Sequence, residues 1–237
     1  ETKKVLRASL PFFIASAAVY LGSSIDVVLL RELVPEGSEE VGWYSAAREI
    51  ARLSALMMPV LTGVLVPMMS RAMHRDEAEF FRLVRRGMEG VSVVSIPLTL
   101  LLALSAELVI RLVLKEKFLP AAHSLVWLAP TFVLAYANAL LWLALMIMKR
   151  SWTIVVISLI GMALLPLFIL GIVPLTRSLG PGSAAMGVAI ALSARELVNV
   201  LVFLAVIGKR TLDRRAVSAI VKSLAICGVV LVVHRFL

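Results

Sequence analysis

Apolar positions along this chain gather into seven long runs separated by short polar stretches. A helix needs roughly 20 apolar residues to cross a bilayer. The runs are continuous rather than alternating in segments of about ten, which argues against a membrane β-barrel. They predict helices near 10–30, 42–70, 91–114, 121–148, 152–173, 184–207 and 217–233, here called A to G. Helix B has a short purely apolar part, extended at one end by an amphipathic stretch over 44–52. Between B and C, residues 71–87 mix arginines with Phe80, Phe81, Leu83 and Val84. That interleaving predicts a basic helix lying on the cytoplasmic membrane surface. The reading is all-α: a single polytopic membrane bundle over 1–237, with about seven transmembrane helices.

Composition agrees with the pattern. Of the 237 residues, 61% are hydrophobic and mean hydropathy is +0.99, whereas soluble domains are about half apolar. The formal charge is +9. In a soluble chain that excess would raise nucleic acid as a partner, but here the bilayer accounts for it. Fourteen Lys and Arg fall on one side: Lys3, Lys4 and Arg7, the 71–86 segment, Lys149-Arg150 and the 209–215 loop. Six fall on the other: Arg31, Arg111, Lys115, Lys117, Arg177 and Arg235. The positive-inside rule then places the N-terminus in the cytoplasm, and an odd number of spans places the C-terminus outside. The single Cys227 excludes an internal disulfide, and His74, His123 and His234 lack metal-ligand spacing. No metal site or cofactor is expected. The chain opens on Glu1 and shows no signal peptide, which is the expectation for a piece of something longer.

Charges inside spans are costly and mark candidate sites. Asp26 lies in the outer half of A. Arg48, Glu49 and Arg52 lie at the outer end of B, and Glu107 in the outer third of C. Tyr44, Arg48 and Arg52 share one helical face. Two arginines on one face call for an anion or for carboxylates between them, and the planar guanidinium suits phosphate. Asp26 and Glu49 are the alternative partners, which would lock A to B. Arg195 and Glu196 sit near the middle of F. Ser183, Gly187, Ala191, Arg195 and Asn199 recur every four residues, a face that lets a neighbouring helix approach closely. Adjacent Arg195 and Glu196 point about 100° apart, so each is expected to need its own partner. Asn138 on D serves either packing or binding, and Glu107 with Arg111 suits a surface pair. Trp43, Trp127, Trp142 and Trp152 read as interfacial anchors. Glu36, Glu39 and Glu40 read as a solvated turn. No enzyme signature appears: no Gly-rich phosphate loop, metal cluster or nucleophile motif.

Three segments in order carry a resemblance. Ser24-Ile25-Asp26-Val27-Val28-Leu29-Leu30 precedes Gly42-Trp43-Tyr44-Ser45-Ala46-Ala47-Arg48, and helix B ends in Pro67-Met68-Met69-Ser70-Arg71. Phe118-Leu119-Pro120-Ala121 leads to a segment from Leu125 to Pro130, and a glycine-rich loop at Gly180 enters the helix that carries Glu196. Together these resemble the polysaccharide-biosynthesis flippases of the multidrug/oligosaccharidyl-lipid/polysaccharide exporter superfamily, whose members have two six-helix halves. The chain would match the second half and one extra helix. The resemblance implies an integral protein of a bacterial-type inner membrane. It implies a transporter rather than an enzyme, flipping a polyprenyl-diphosphate-linked oligosaccharide from inner to outer leaflet by alternating access. The implied partners are the lipid bilayer, the lipid-linked glycan and a missing N-terminal half. Coupling to a proton or sodium gradient is left open. The resemblance places Asp26 and Arg48 near the cavity wall, and the charge argument adds Arg52 and Arg195. The competing expectations are a cation-coupled multidrug exporter of the same superfamily and a non-transporting membrane scaffold or assembly protein.

Overall fold

A computed structural model describes residues 2–35, 38–53, 56 and 58–208, all helix and connecting turns among them. Eight helices follow in order: α1 (Thr2–Leu33), α2 (Glu40–Leu53), α3 (Met58–Arg75), α4 (Glu77–Leu104), α5 (Ala106–Leu114), α6 (Ala121–Ile147), α7 (Ser151–Thr176) and α8 (Ser183–Ile207). Five segments, over α1, α4, α6, α7 and α8, are long and apolar enough to cross a membrane, and a sixth span forms if α2 and α3 are taken together. These account for helices A to F. Helix G, the basic loop before it and Cys227 lie outside the described residues.

Three boundaries differ from the hydrophobic pattern. Helix B is two helices, α2 and α3, bent by 41°. Pro59 lies in the first turn of α3, where its missing N–H costs nothing; inside a continuous helix it would remove a hydrogen bond and clash with the preceding turn. Helix C is divided at Ser105, whose hydroxyl bonds the Leu101 carbonyl at 2.6 Å, leaving α5 as a separate short helix. The basic segment 71–87 is not a separate surface helix. α3 ends at Arg75, the Asp76 carboxylate accepts from Ala78 N at 3.0 Å, and α4 runs unbroken through Leu104. Its aromatic residues Phe80 and Phe81 are buried in the protein core with Val84 and Met88, while Arg82 and Arg86 face outward. The interleaved pattern records an amphipathic helix whose apolar face meets protein.

α6 is the hub, touching α2, α3, α4, α5, α7 and α8, while α1 packs chiefly on α7. Two apolar clusters fill the bundle. One joins α3 and the start of α4 to the ends of α6 and α8 through Met69, Phe80, Leu141, Ile154 and Phe203. The other joins the end of α1 and α2 to α5 and the beginnings of α6 and α8 through Leu30, Tyr44, Ile110, Leu125 and Val188. Loops of one parity meet at the second end. Lys117 pairs with Glu39 at 3.0 Å. The Glu40 carboxylate accepts from Gly182 N at 3.1 Å and Ala185 N at 2.8 Å. Glu40 is therefore not a solvated turn residue. It supplies a negative charge and two acceptors to the amino end of α8, whose first N–H groups have no partner within the helix. Gly182 holds a left-handed φ of 80° there, and a Cβ on it would lie 3.0 Å from the Pro120 carbonyl oxygen.

Candidate functional site

Between the two apolar clusters lies a polar layer. Its residues come from α1, α2, α6, α7 and α8. Asp26 is 1% exposed and carries three contacts. Its Oδ2 accepts from the Tyr44 hydroxyl at 2.7 Å and pairs with Arg48 Nε at 3.1 Å, and its Oδ1 accepts from Val27 N at 3.0 Å. Arg48 also donates to the Ser23 carbonyl. This network ties α2 to α1 and satisfies a carboxylate that hydrocarbon would otherwise penalise. One turn on, Arg52 pairs with Glu49 at 2.9 Å, and this pair is largely exposed. Both neutralising partnerships expected from the residue spacing are therefore present.

On α8, Arg195 and Glu196 pair with each other. Their long side chains bridge the angle between their helix positions, so the expectation of separate partners is corrected. Glu196 also accepts from Asn138 Nδ2 of α6 at 2.5 Å, and the same nitrogen donates to the Glu196 carbonyl at 3.2 Å. Asn199, one turn beyond Arg195, lies against Gly161 of α7; a Cβ at position 161 would meet its amide at 2.8 Å.

Two adjoining lobes share part of their lining here. The first, about 230 Å³, has Asp26, Arg48, Arg52 and Arg195 in its lining. The second, about 310 Å³, has Asn138, Trp142, Ser158 and Asn199 in its lining. Arg195, Glu196 and Ala135 belong to both. Seven of the eight residues singled out by sequence thus line these two lobes. Arg195 shares a lobe with Arg48 rather than lying deeper, because α2 begins at Glu40 and carries Arg52 about 18 Å along its axis, the same run that separates Ser183 from Arg195. Glu107 is the exception. α5 turns Ala106 and Ile110 into the apolar cluster, and Glu107 and Arg111 face outward beside His123 of α6. Trp142 was read as an interfacial anchor. Its side chain is also in the lining of the second lobe.

A family model described as polysaccharide biosynthesis protein matches residues 1–123. The chain belongs to the polysaccharide biosynthesis protein family. The match takes in α1 to α5 and with them Asp26, Arg48 and Arg52; Asn138, Arg195, Glu196 and Asn199 lie beyond it. No curated protein matches the chain. Membership in the polysaccharide biosynthesis family, together with the apolar helices, gives an integral membrane protein with a role in polysaccharide synthesis or export.

Proposed function

We propose that this protein flips a polyprenyl-diphosphate-linked oligosaccharide from the inner to the outer leaflet of a bacterial-type inner membrane, by alternating access and without enzymatic chemistry. It acts with an N-terminal half packed against it, and its own N-terminus faces the cytoplasm. The reading rests on one observation: three guanidinium groups, of Arg48, Arg52 and Arg195, line a groove in the middle of an apolar bundle. Each has a carboxylate partner, so an unliganded groove is neutral. The partnerships differ in strength. Arg48 is held with buried Asp26, whereas the exposed Arg52–Glu49 pair is worth at most about 1 kcal/mol. A diphosphate displaces Glu49 into water at little cost and gains a bidentate guanidinium contact.

A cation-coupled drug exporter wants an isolated carboxylate, and Asp26 already has Tyr44, Val27 and Arg48 as partners. A scaffold accounts for paired charges but gives no reason for two adjoining polar lobes lined by them. The test is glycan-export complementation. Arg52→Ala lowers export at least about tenfold at normal membrane abundance, the loss of one charge-assisted contact, and Arg48→Ala with Arg52→Ala abolishes it. Full export by the double variant overturns the proposal.

A further inference from the structure

The second lobe of the groove has a chemistry that phosphate recognition does not use. Among the described residues, Thr99 Oγ1 and Ser124 Oγ elsewhere, and Asn138 Oδ1, Asn199 Oδ1 and Arg195 Nε here, are buried without a hydrogen-bond partner. Unsatisfied polar atoms are expensive within a bilayer, where no bulk water reaches them. Their concentration around one lobe, two acceptors with one donor, defines the ligand that would relieve them. It must offer at least two donors and one acceptor on a compact frame. A cation offers no acceptor and would meet the Arg195 guanidinium. A second phosphate offers no donor to the amide oxygens. A sugar ring offers both, since each hydroxyl donates and accepts. Trp142 in the same lining adds an aromatic face of the kind that packs on a ring's C–H side.

We propose that this lobe is the glycan subsite, holding the first sugar of the lipid-linked substrate while the arginine lobe holds its diphosphate. The inference rests on the proposed flippase reading. The two lobes share Arg195 and Glu196, so a ring bonded directly to the diphosphate enters the second lobe when the diphosphate occupies the first.

The test uses the full chain in lipid nanodiscs and two probes, polyprenyl diphosphate and the same lipid carrying one N-acetylhexosamine. In the wild type the sugar raises affinity roughly tenfold, the worth of one or two hydrogen bonds. Asn199→Ala and Trp142→Leu remove that increment and leave the sugarless lipid unchanged. Gly161→Ala serves where deletion disturbs folding: its methyl displaces the Asn199 amide without removing a polar group, and it reduces the increment too. Arg52→Ala weakens both lipids equally. Equal affinity of the two lipids for the wild type, or equal weakening of both by Asn199→Ala, Trp142→Leu and Gly161→Ala, overturns the glycan subsite and leaves the diphosphate reading standing. Failure of the wild type to bind either lipid overturns both.

Discussion

Removing Asp26 and Arg48 together is expected to cost less than the sum of removing each alone. Asp26 is 1% exposed, and deleting Arg48 strands its charge away from water. One-sided disruption of a buried ion pair costs about 3–5 kcal/mol, while loss of both partners leaves no charge unpaired. Reversible unfolding in mixed micelles should therefore show Asp26→Ala and Arg48→Ala each strongly destabilising, with the double variant short of their sum by at least about 1 kcal/mol. Strict additivity would mean that the pair contributes nothing as a pair. Tyr44→Phe removes one buried hydrogen bond to a charged acceptor but leaves the ion pair, and about 1.5–3 kcal/mol is expected. Residues of this kind were legible from the sequence because charge within an apolar run is conspicuous. Glu40 and Trp142 were not. An acid in a loop and a tryptophan near a helix end each have a common bland explanation, and only the helices packed beside them show the further contacts they make.

α7 and α8 meet through missing side chains. Gly187 lies against Thr176 and Val173, where a Cβ would fall onto the threonine hydroxyl and 3.2 Å from the Val173 Cα. Backbone cannot move aside as a flexible side chain does. Gly187→Val is thus expected to separate the two helices and lower the melting temperature by several degrees, the effect of about 1–3 kcal/mol of overpacking. Gly90→Ala on an exposed position of α4, with open space around its Cβ, should leave it unchanged or slightly raised. Similar melting of both variants would refute close packing at Gly187. The four-residue repeat of small residues pointed to this face, since periodicity reports which side of a helix is buried. Element boundaries were less legible. Hydropathy does not register a proline at a helix start or a serine bonding its own backbone, so the breaks before Pro59 and at Ser105 passed as continuous spans. The basic stretch after Arg71 misled for a related reason: an amphipathic face predicts burial without naming protein or lipid as the partner.

At the scale of the whole molecule, the two ends of the bundle carry different charge, and that difference predicts an orientation. The α6–α7 turn presents Lys149 and Arg150 at one end, with Lys149 at a left-handed φ of 57° and both residues exposed. The α7–α8 loop emerges at the other end, where Glu40 and Lys117 gather the loops of opposite parity. Basic turns are retained in the cytoplasm because moving them across the membrane opposes the potential. Alternation of the spans made this charge difference legible before any tertiary contact was known, and the charges within the spans marked most of the residues that line the two lobes; how the lobes adjoin depends on which helices neighbour α8 and was not legible. The orientation is open to direct measurement. With the single cysteine removed as Cys227→Ser, Arg150→Cys and Leu179→Cys each place one exposed thiol at opposite ends. A membrane-impermeant maleimide should label Leu179→Cys in intact cells and Arg150→Cys only after permeabilisation. The reverse pattern would put the Glu40 end of the groove at the inner leaflet. Arg48 and Arg52 would then face the side on which a lipid-linked glycan is loaded rather than released.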